Sequence, residues 1–194
     1  GVAASVVGTP TASSVSVVAG ASVAAVSSGN VVLTSTSGAT VTGVGLFDYL
    51  APGNVSTLSP ASGQIGTLVT ITGTGLLGGG ANISTVLLGP TAATRVVSSS
   101  NTQVVVEAAR GTAAGGLDVV LTANTGAKST GSGLWQYLTE GNIATVVPSS
   151  GISGTRVTIS GTGLRGGGVS VVSATIGGTS ATISSQTDTT VVLV

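Results

Sequence analysis

The sequence predicts an all-β protein made of tandem β-sandwiches, and three observations support this prediction. The first is composition: hydrophobic residues make up 41% of the 194 residues, and Val, Ala, Leu and Ile supply nearly all of them. The rest is mostly Gly, Ser and Thr, so residues that favour strands and turns predominate. The second is that, apart from Ala and Leu, strong helix formers such as Glu, Lys, Gln and Met are scarce or absent. The third is an internal repeat.

The repeat relates residues that lie 88 positions apart. Residues 53–80 match residues 141–168 at 18 of 28 positions without a gap. Residues 30–54 align with residues 118–142 at the same offset. A fixed period of this length identifies the structural unit of a tandem array.

The period divides the chain into three segments. Residues 1–52 are the C-terminal part of one repeat, residues 53–140 are a complete repeat, and residues 141–194 are the N-terminal part of another. Two explanations are open. Either the chain is a window in a longer array, or half-domains of neighbouring subunits complete each other by strand complementation. An isolated half-sandwich exposes an apolar face and unpaired strand edges, so we expect self-association into a homopolymer or fibre.

Seven short strands are predicted in the complete repeat, separated by turn residues. They cover residues 55–59, 67–73, 84–89, 94–98, 103–108, 117–123 and 133–138. In the second of these strands, Val69 and Ile71 share the face that we expect to be buried, and Leu68 lies on the other face. Seven short strands in one repeat predict a sandwich of immunoglobulin-like topology.

The opening of the complete repeat resembles the IPT/TIG domain family. That family begins with a Pro-containing strand, a Ser-Gly turn, a Gly-Thr pair, a Val-Thr-Ile strand and a Gly-x-Gly turn. Residues 60–76 and residues 148–164 both show this order, and residues 86–108 and 174–194 are similar to the family's middle strands. The resemblance covers the chain as one complete and two partial repeats. It implies an immunoglobulin-like fold with no catalytic residues of its own.

The resemblance also implies a setting. The family occurs in cell-surface receptors, in DNA-binding transcription factors, beside carbohydrate-active enzymes and in long surface proteins of microbes. This chain departs from the receptor members because it lacks Cys, and from the transcription factors because it lacks a basic recognition loop. We therefore expect a microbial or algal protein that is extracellular or at the cell surface.

The low content of charged residues excludes some classes of function. Only 5% of the residues are charged, and five basic residues cancel five acidic ones, whereas a usual soluble domain has about 25%. Five scattered basic residues cannot form a nucleic-acid-binding face. A surface with so little charge promotes association, which is consistent with burial in an assembly or a coat of glycan. The sequence contains no apolar run long enough for a transmembrane helix.

The residues needed for catalysis are missing or scattered. The chain has no His and no Cys, which excludes a His-based triad, a thiolate nucleophile and the usual zinc sites. Its five acidic residues show neither the pair that a glycosidase needs nor the cluster that calcium needs. Residues 73–78 fit the G-x-G-x-x-G pattern, but no predicted helix follows, so we interpret them as a turn. We expect a protein that is not an enzyme and holds no cofactor or metal.

Covalent glycans are the one non-protein group that the sequence predicts. Asn54-Val55-Ser56 and Asn82-Ile83-Ser84 are N-glycosylation sequons. Such short matches also arise by chance in a Ser-rich chain. Loops rich in Ser and Thr offer further sites for O-linked glycans.

Four aromatic residues occupy one strand position in two copies of the repeat. Phe47 aligns with Trp135, and Tyr49 aligns with Tyr137. Residues at i and i+2 of a strand share a face. Two interpretations are open for these pairs, namely packing in a core or between domains, and a platform on which sugar rings stack.

These observations lead to two candidate functions. The first is a structural segment of an extracellular filament or stalk, in which the short links at residues 51–53 and 139–141 allow little freedom between domains. The alternative is an adhesin or a carbohydrate-binding accessory module. The alternative requires Trp135 and Tyr137 to be exposed to solvent.

Overall fold

The computed structural model describes residues 1–194, and the chain forms strands and turns without a helix. It therefore has no helix long and apolar enough to cross a membrane. The complete repeat contains nine strands: β5 (Asn54–Ser59), β6 (Ser62–Gly63), β7 (Leu68–Thr74), β8 (Ile83–Leu88), β9 (Thr91–Ala92), β10 (Arg95–Ser99), β11 (Gln103–Glu107), β12 (Ala114–Ala123) and β13 (Lys128–Tyr137). The fold class is all-β, as predicted.

Shorter sets of strands lie on either side of the complete repeat. The preceding segment contains β1 (Ser5–Val7), β2 (Ser16–Val18), β3 (Val26–Thr34) and β4 (Thr40–Tyr49). The following segment contains β14 (Asn142–Val147), β15 (Val157–Thr162), β16 (Ala174–Ile176), β17 (Thr179–Ala181), β18 (Ile183–Gln186) and β19 (Thr190–Leu193).

The strands of the complete repeat form one hydrogen-bonded sheet that folds over on itself. Its order is β10-β11-β7-β5-β13-β12-β8-β9, and β6 pairs with β13. All neighbours are antiparallel except the short parallel pairings that β13 makes with β5 and β6. A single residue pair, Thr130 with Asn54, joins β13 to β5. The sheet bends at this narrow link, and its two halves face each other as the layers of a sandwich.

The core lies between the two halves. One cluster of 15 buried residues draws on both: Val55, Val69, Ile71, Leu76, Ile83, Val86, Leu88, Val104, Val106, Ala108, Val119, Leu121, Ala123, Trp135 and Tyr137. Val69 and Ile71 are fully buried, whereas Leu68 on the same strand is 54% exposed. The predicted alternation along this strand is thus confirmed, because successive strand residues point to opposite faces.

The last hairpin is longer than the sequence predicted. Strand β13 begins at Lys128 and β12 at Ala114, whereas the pattern of strand and turn residues predicted strands beginning at residues 133 and 117. The added residues are largely Gly, Ser, Thr and Ala, whose intrinsic strand preference is weak or moderate. They are extended because β12 and β13 pair with each other, with register shifts near Leu117.

The flanking segments have little core of their own. Strands β3 and β4 pair only with each other, and so do β1 and β2. Strands β14, β15, β19 and β18 form a four-stranded sheet, and β16 pairs with β17. No residue of segment 1–52 is buried, and in segment 141–194 only Val191, Val192 and Leu193 are.

The gapless alignment of the repeats holds only in part. Val104 pairs with Ile71 in the complete repeat, and Val191 pairs with Ile159 in the following segment. Ile71 and Ile159 are 88 residues apart, but Val104 and Val191 are 87 apart. The following segment lacks a counterpart of Arg95, since Thr94 and Thr182 make the same backbone hydrogen bond to the neighbouring strand. Arg95 is the first residue of β10 and pairs with Glu107, so its loss shortens the start of a strand and leaves the later pairs in place.

Candidate functional site

The aromatic pair of the complete repeat lies inside the core. Trp135 is 1% exposed and Tyr137 is 2% exposed. Their rings pack edge to face with centroids 5.4 Å apart. This arrangement stabilises a core beyond the area that it buries, and it leaves no aromatic face on which a sugar ring could stack at Trp135 and Tyr137.

Tyr137 is also titratable, and its phenol lies in the core. Burial raises the pKa of the Tyr137 phenol, and a weak interaction with the side chain of Thr91 lowers it by less. The phenol oxygen makes no hydrogen bond of normal geometry, and neither does the indole nitrogen of Trp135. Both rings therefore serve packing rather than polar recognition.

The equivalent aromatic pair in the preceding segment has the same ring geometry but is not covered by a second layer of strands. Phe47 and Tyr49 also pack edge to face, with centroids 5.0 Å apart. Phe47 is 44% exposed, and Tyr49 is half-buried. No second layer of strands faces these rings, because β3 and β4 pair only with each other.

The acidic side chains act locally. Each accepts one nearby hydrogen bond or pairs with one arginine: Asp48 with Ser28 N–H, Glu107 with Arg95, Asp118 with Gly133 N–H, Glu140 with Arg110, and Asp188 with Arg165 N–H. No group of three or more His, Cys, Asp or Glu is placed to hold a metal ion. The acids thus stabilise turns and strand pairings.

The glycine-rich stretch 73–80 forms a sharp turn. It leads into β8, and no helix follows whose N-terminus could face a pyrophosphate. The backbone N–H of Leu76 donates to the carbonyl oxygen of Asn101 at 3.1 Å, and the N–H of Leu77 donates to the side chain of Asn101 at 3.3 Å. The turn is thereby fixed to the loop that follows β10.

A contact between successive repeats occurs twice in this chain, and we call it the junction. Leu50 packs over Gly79, and Leu138 packs over Gly167. A methyl group on Gly79 would lie 2.7 Å from Cδ1 of Leu50, and one on Gly167 would lie 2.5 Å from Cδ1 of Leu138. Both glycines also have positive φ, at 78° and 84°, so the position strongly favours Gly for two separate reasons.

Backbone contacts reinforce the junction. A methyl group on Gly75 would lie 3.2 Å from Cα of Gly53, and one on Gly163 would lie 3.1 Å from Cα of Gly141. At the second junction, the backbone N–H of Gly141 also donates to Oε1 of Gln64 at 2.9 Å. The linking backbone is therefore held against the glycine-rich turn of the repeat that it enters.

Sequence reasoning missed the residues of the junction. Leu50 and Leu138 are identical at the repeat offset, and so are Gly79 and Gly167. This identity was the available signal. It did not distinguish a contact between repeats from the glycine-rich turn itself, because nothing in the sequence shows which leucine reaches which glycine.

Beside the second junction lies an open apolar face. A cavity of about 310 Å³ is bordered by Gln64 of the complete repeat. Its apolar lining comes from the following segment: Ile143, Ile159, Leu164, Val171, Ala174 and Val191. A second groove, of about 410 Å³, is flanked by the ion pair between Arg110 and Glu140, at 3.1 Å.

Both predicted sequon asparagines lie at the surface. Asn54 begins β5 and its side-chain N–H donates to the hydroxyl of Ser56 at 3.2 Å. Asn82 precedes β8 in a turn and is exposed. Both residues are exposed to solvent.

Comparison with solved structures finds distant likenesses. The plexin A4 extracellular region has 22% identity over 73% of this chain and 15% of that chain, with a TM-score of 0.46. SGBP-B of the Bacteroides ovatus mixed-linkage glucan utilization locus has 19% identity over 87% of this chain and 43% of that one, with a TM-score of 0.37. SGBP-B of a Bacteroides uniformis xyloglucan utilization locus has 18% identity over 73% of this chain and 41% of that one, with a TM-score of 0.33. This chain spans less than half the length of each.

Family comparison is more specific. A search of curated protein sequences finds no match to this chain. The family model described as IPT/TIG domain matches residues 54–137 and again residues 142–194. These ranges cover the complete repeat and the segment that follows it, and together they make up well over half of the chain. The chain therefore belongs to the IPT/TIG domain family, a family of non-catalytic immunoglobulin-like domains.

Proposed function

We propose that this chain is a structural segment of an extracellular filament or stalk built from tandem IPT/TIG domains. The observation that carries the proposal is the junction, in which a leucine of one repeat packs over a glycine of the next. The contact occurs at both boundaries, as Leu50 over Gly79 and Leu138 over Gly167. A contact repeated with the same partners sets the same orientation between each pair of domains.

The junction is stiff for a physical reason. The link at residues 51–53 contains Pro52, whose ring restricts φ. The glycine turn approaches the link so closely that a side chain on Gly53 would collide with the carbonyl of Gly75. Few rotatable bonds are left free between domains, so each domain acts as a rigid spacer. An array of such spacers stays extended and holds its two ends apart, which is the property that a stalk needs.

The surface properties fit the same role. With only 5% charged residues and no net charge, neighbouring arrays repel each other little and can pack side by side. Glycans on Asn54 and Asn82 would supply polar surface where charge is missing, and both side chains are exposed. We assign the chain to the cell surface or the extracellular space on these grounds.

The carbohydrate-binding alternative loses its main support. It required the rings of Trp135 and Tyr137 to be exposed, and both are buried. Phe47 is partly exposed, but it occupies the position of a core residue in the aligned repeat. We therefore do not propose a sugar-binding platform on these residues.

A distance measurement tests the stiffness of the junction. The chain has no cysteine, so Thr57→Cys and Thr145→Cys place spin labels at equivalent exposed positions of successive repeats. Labelled protein diluted with unlabelled protein should give a narrow distribution of distances by electron–electron double resonance. Leu138→Ala should broaden it, because the methyl groups that cover Gly167 are lost.

Leu50→Ala is the matched control. It makes the same change at the other junction, which does not lie between the two labels, so the distribution should stay narrow. A broad distribution in the chain that carries only the two labels would refute the stalk, since it would show that successive domains move freely.

A further inference from the structure

We propose that the ion pair between Arg110 and Glu140 makes the stiffness of the second junction depend on ionic strength. Glu140 lies in the link at residues 139–141, so the pair acts on the backbone that joins the complete repeat to the next one. The inference rests on the filament proposed above and names a positioning residue in one of its links. It also separates the two junctions, because the link at residues 51–53 holds no charged residue.

The two links differ at one position that bears on stiffness. Pro52 of the first link aligns with Glu140 of the second at the repeat offset, and the glycine that follows is the same in both, as Gly53 and Gly141. Proline fixes φ through its own ring and needs no partner. Glutamate leaves φ and ψ free, so the second link needs a restraint from outside its backbone to be as rigid as the first.

Arg110 supplies that restraint. Its Nη2 atom lies 3.1 Å from Oε2 of Glu140, which is within hydrogen-bonding range. Arg110 belongs to the connection between β11 and β12, which is part of the repeat that the link leaves. The residue aligned with Arg110 in the preceding segment is Ser22. The first link therefore lacks both the acid and its basic partner, and has a proline in place of the acid.

The ion pair borders the groove of about 410 Å³. One wall of that groove is the β11–β12 connection at residues 110–113, and the other includes residues 138–140, where the chain enters the link. The side chain of Arg110 is 73% exposed and that of Glu140 is 28% exposed. Water and dissolved ions therefore reach the pair, while the carboxylate is held against the protein.

The position of Glu140 connects the pair to the orientation of the next repeat. Two residues before it, Leu138 packs over Gly167, and directly after it the backbone of Gly141 lies against Gly163. Rotation about the backbone of Glu140 changes how these two contacts are placed relative to each other. Fixing its side chain to the repeat that the link leaves therefore restricts the angle between the two domains.

Salt weakens this restraint selectively. The Debye length falls from about 10 Å at 0.1 M salt to about 3 Å at 1 M, and an exposed ion pair changes an equilibrium by no more than a few-fold. The packing of Leu138 over Gly167 and the ring of Pro52 involve no net charge, so screening leaves them in place. The other ion pair of the protein, Arg95 with Glu107, joins β10 to β11 inside the complete repeat.

Distances between spin labels at residues 57 and 145 test the proposal. With Thr57→Cys and Thr145→Cys as the only cysteines, the distribution should be narrow at low salt. In about 1 M sodium chloride, the fraction of molecules outside the main peak should rise about twofold to fivefold, the change expected for an exposed ion pair. Glu140→Gln removes the charge, so it should show the broader distribution already at low salt, with no further change in high salt.

Glu140→Pro is the matched control. It gives the second link the residue of the first, and it removes no backbone hydrogen bond, because the N–H of Glu140 donates none. Its distribution should be narrow at both salt concentrations. Both variants change a position outside the core cluster, so neither should unfold the complete repeat.

Three results would overturn the proposal and leave the stalk in place. They are a distribution in the two-label chain that stays narrow in high salt, a narrow distribution for Glu140→Gln at low salt, and an equal response to salt in Glu140→Pro and in the two-label chain. A two-label chain whose distribution is already broad at low salt would instead refute the stalk, and with it the ionic control of its link.

Discussion

At the scale of single residues, one sequence position has two environments. Trp135 lies in a closed core, and Phe47 occupies the same position on an uncovered hairpin. The ring pairs are alike in geometry, so the neighbouring layer alone makes the difference. Each ring should therefore contribute to stability according to whether a second layer of strands covers it.

Removing each ring should therefore have unequal effects. Trp135→Ala should lower the free energy of unfolding of the complete repeat by about 3–5 kcal/mol. Phe47→Ala should lower it by less than about 1 kcal/mol in the dilute monomer, because the ring is partly solvated. Urea unfolding followed by far-ultraviolet circular dichroism measures both, since Trp135 is the sole tryptophan. Equal losses would contradict the assigned environments.

The buried phenol makes stability depend on alkaline pH. Burial raises the pKa of Tyr137 in the folded state, so the folded protein holds this proton more tightly than the unfolded chain does. The protonated phenol of Tyr137 therefore contributes to the free energy of unfolding. This contribution is complete at pH values below the pKa of tyrosine in the unfolded chain, about 10, and is lost as the pH rises through the higher pKa of the folded state. The Tyr137→Phe variant should not lose this part of its stability at high pH, because it has no phenol to ionise.

Urea midpoints at neutral pH and at a pH of about 11 give the comparison. At neutral pH Tyr137→Phe should change stability little, because the hydroxyl has no hydrogen bond of normal geometry to lose. A decline at high pH that is the same in both proteins would show that Tyr137 does not cause it.

At the scale of elements, the two long hairpins have the same pairing and different surroundings. Strands β12 and β13 pack on the core and pair with β8, β5 and β6, whereas β3 and β4 pair only with each other. An isolated hairpin is marginally stable in water. Local sequence and register therefore cannot by themselves account for a stable hairpin.

Hydrogen exchange should separate the two hairpins. Amides of β12 and β13 should exchange by global unfolding of the complete repeat, and those of β3 and β4 should exchange by local opening in the dilute monomer. Mass spectrometry of peptic fragments reports both in one sample. Equal protection of the hairpins in a verified monomer would show that β3–β4 is stabilised by something other than its own pairing.

At the scale of the whole molecule, the buried core is concentrated in the complete repeat. The 15-residue core cluster lies entirely within residues 55–137. A domain with its own closed core folds alone. The remaining segments contribute sheets without a second layer of strands in these residues, so they add little to the buried core.

Excising the complete repeat tests this division. The fragment of residues 53–140 should fold and unfold in urea with nearly the same midpoint as the complete repeat in the whole chain. The junction contacts of Leu50 and Gly141 lie at its edges and account for any small difference. A fragment that is unfolded in buffer would show that the flanking segments are part of one cooperative unit.

The sequence by itself determined the all-β class, the alternation that buries Val69 and Ile71, and the IPT/TIG family, because periodicity and turn residues are local properties. It also placed Phe47 on Trp135 and Tyr49 on Tyr137. It left open whether these rings form a platform or a core, since exposure depends on residues distant in the sequence.

The tertiary structure decided what the local pattern left open. It buried Trp135 and Tyr137, lengthened β13 through pairing with β12, and shifted the last strands by one residue at Arg95. It also brought Leu138 onto Gly167, two residues whose meeting no spacing predicts. The physical reason is the same in each case: burial, pairing and close approach are set by which surfaces meet, and segments of one period meet different neighbours.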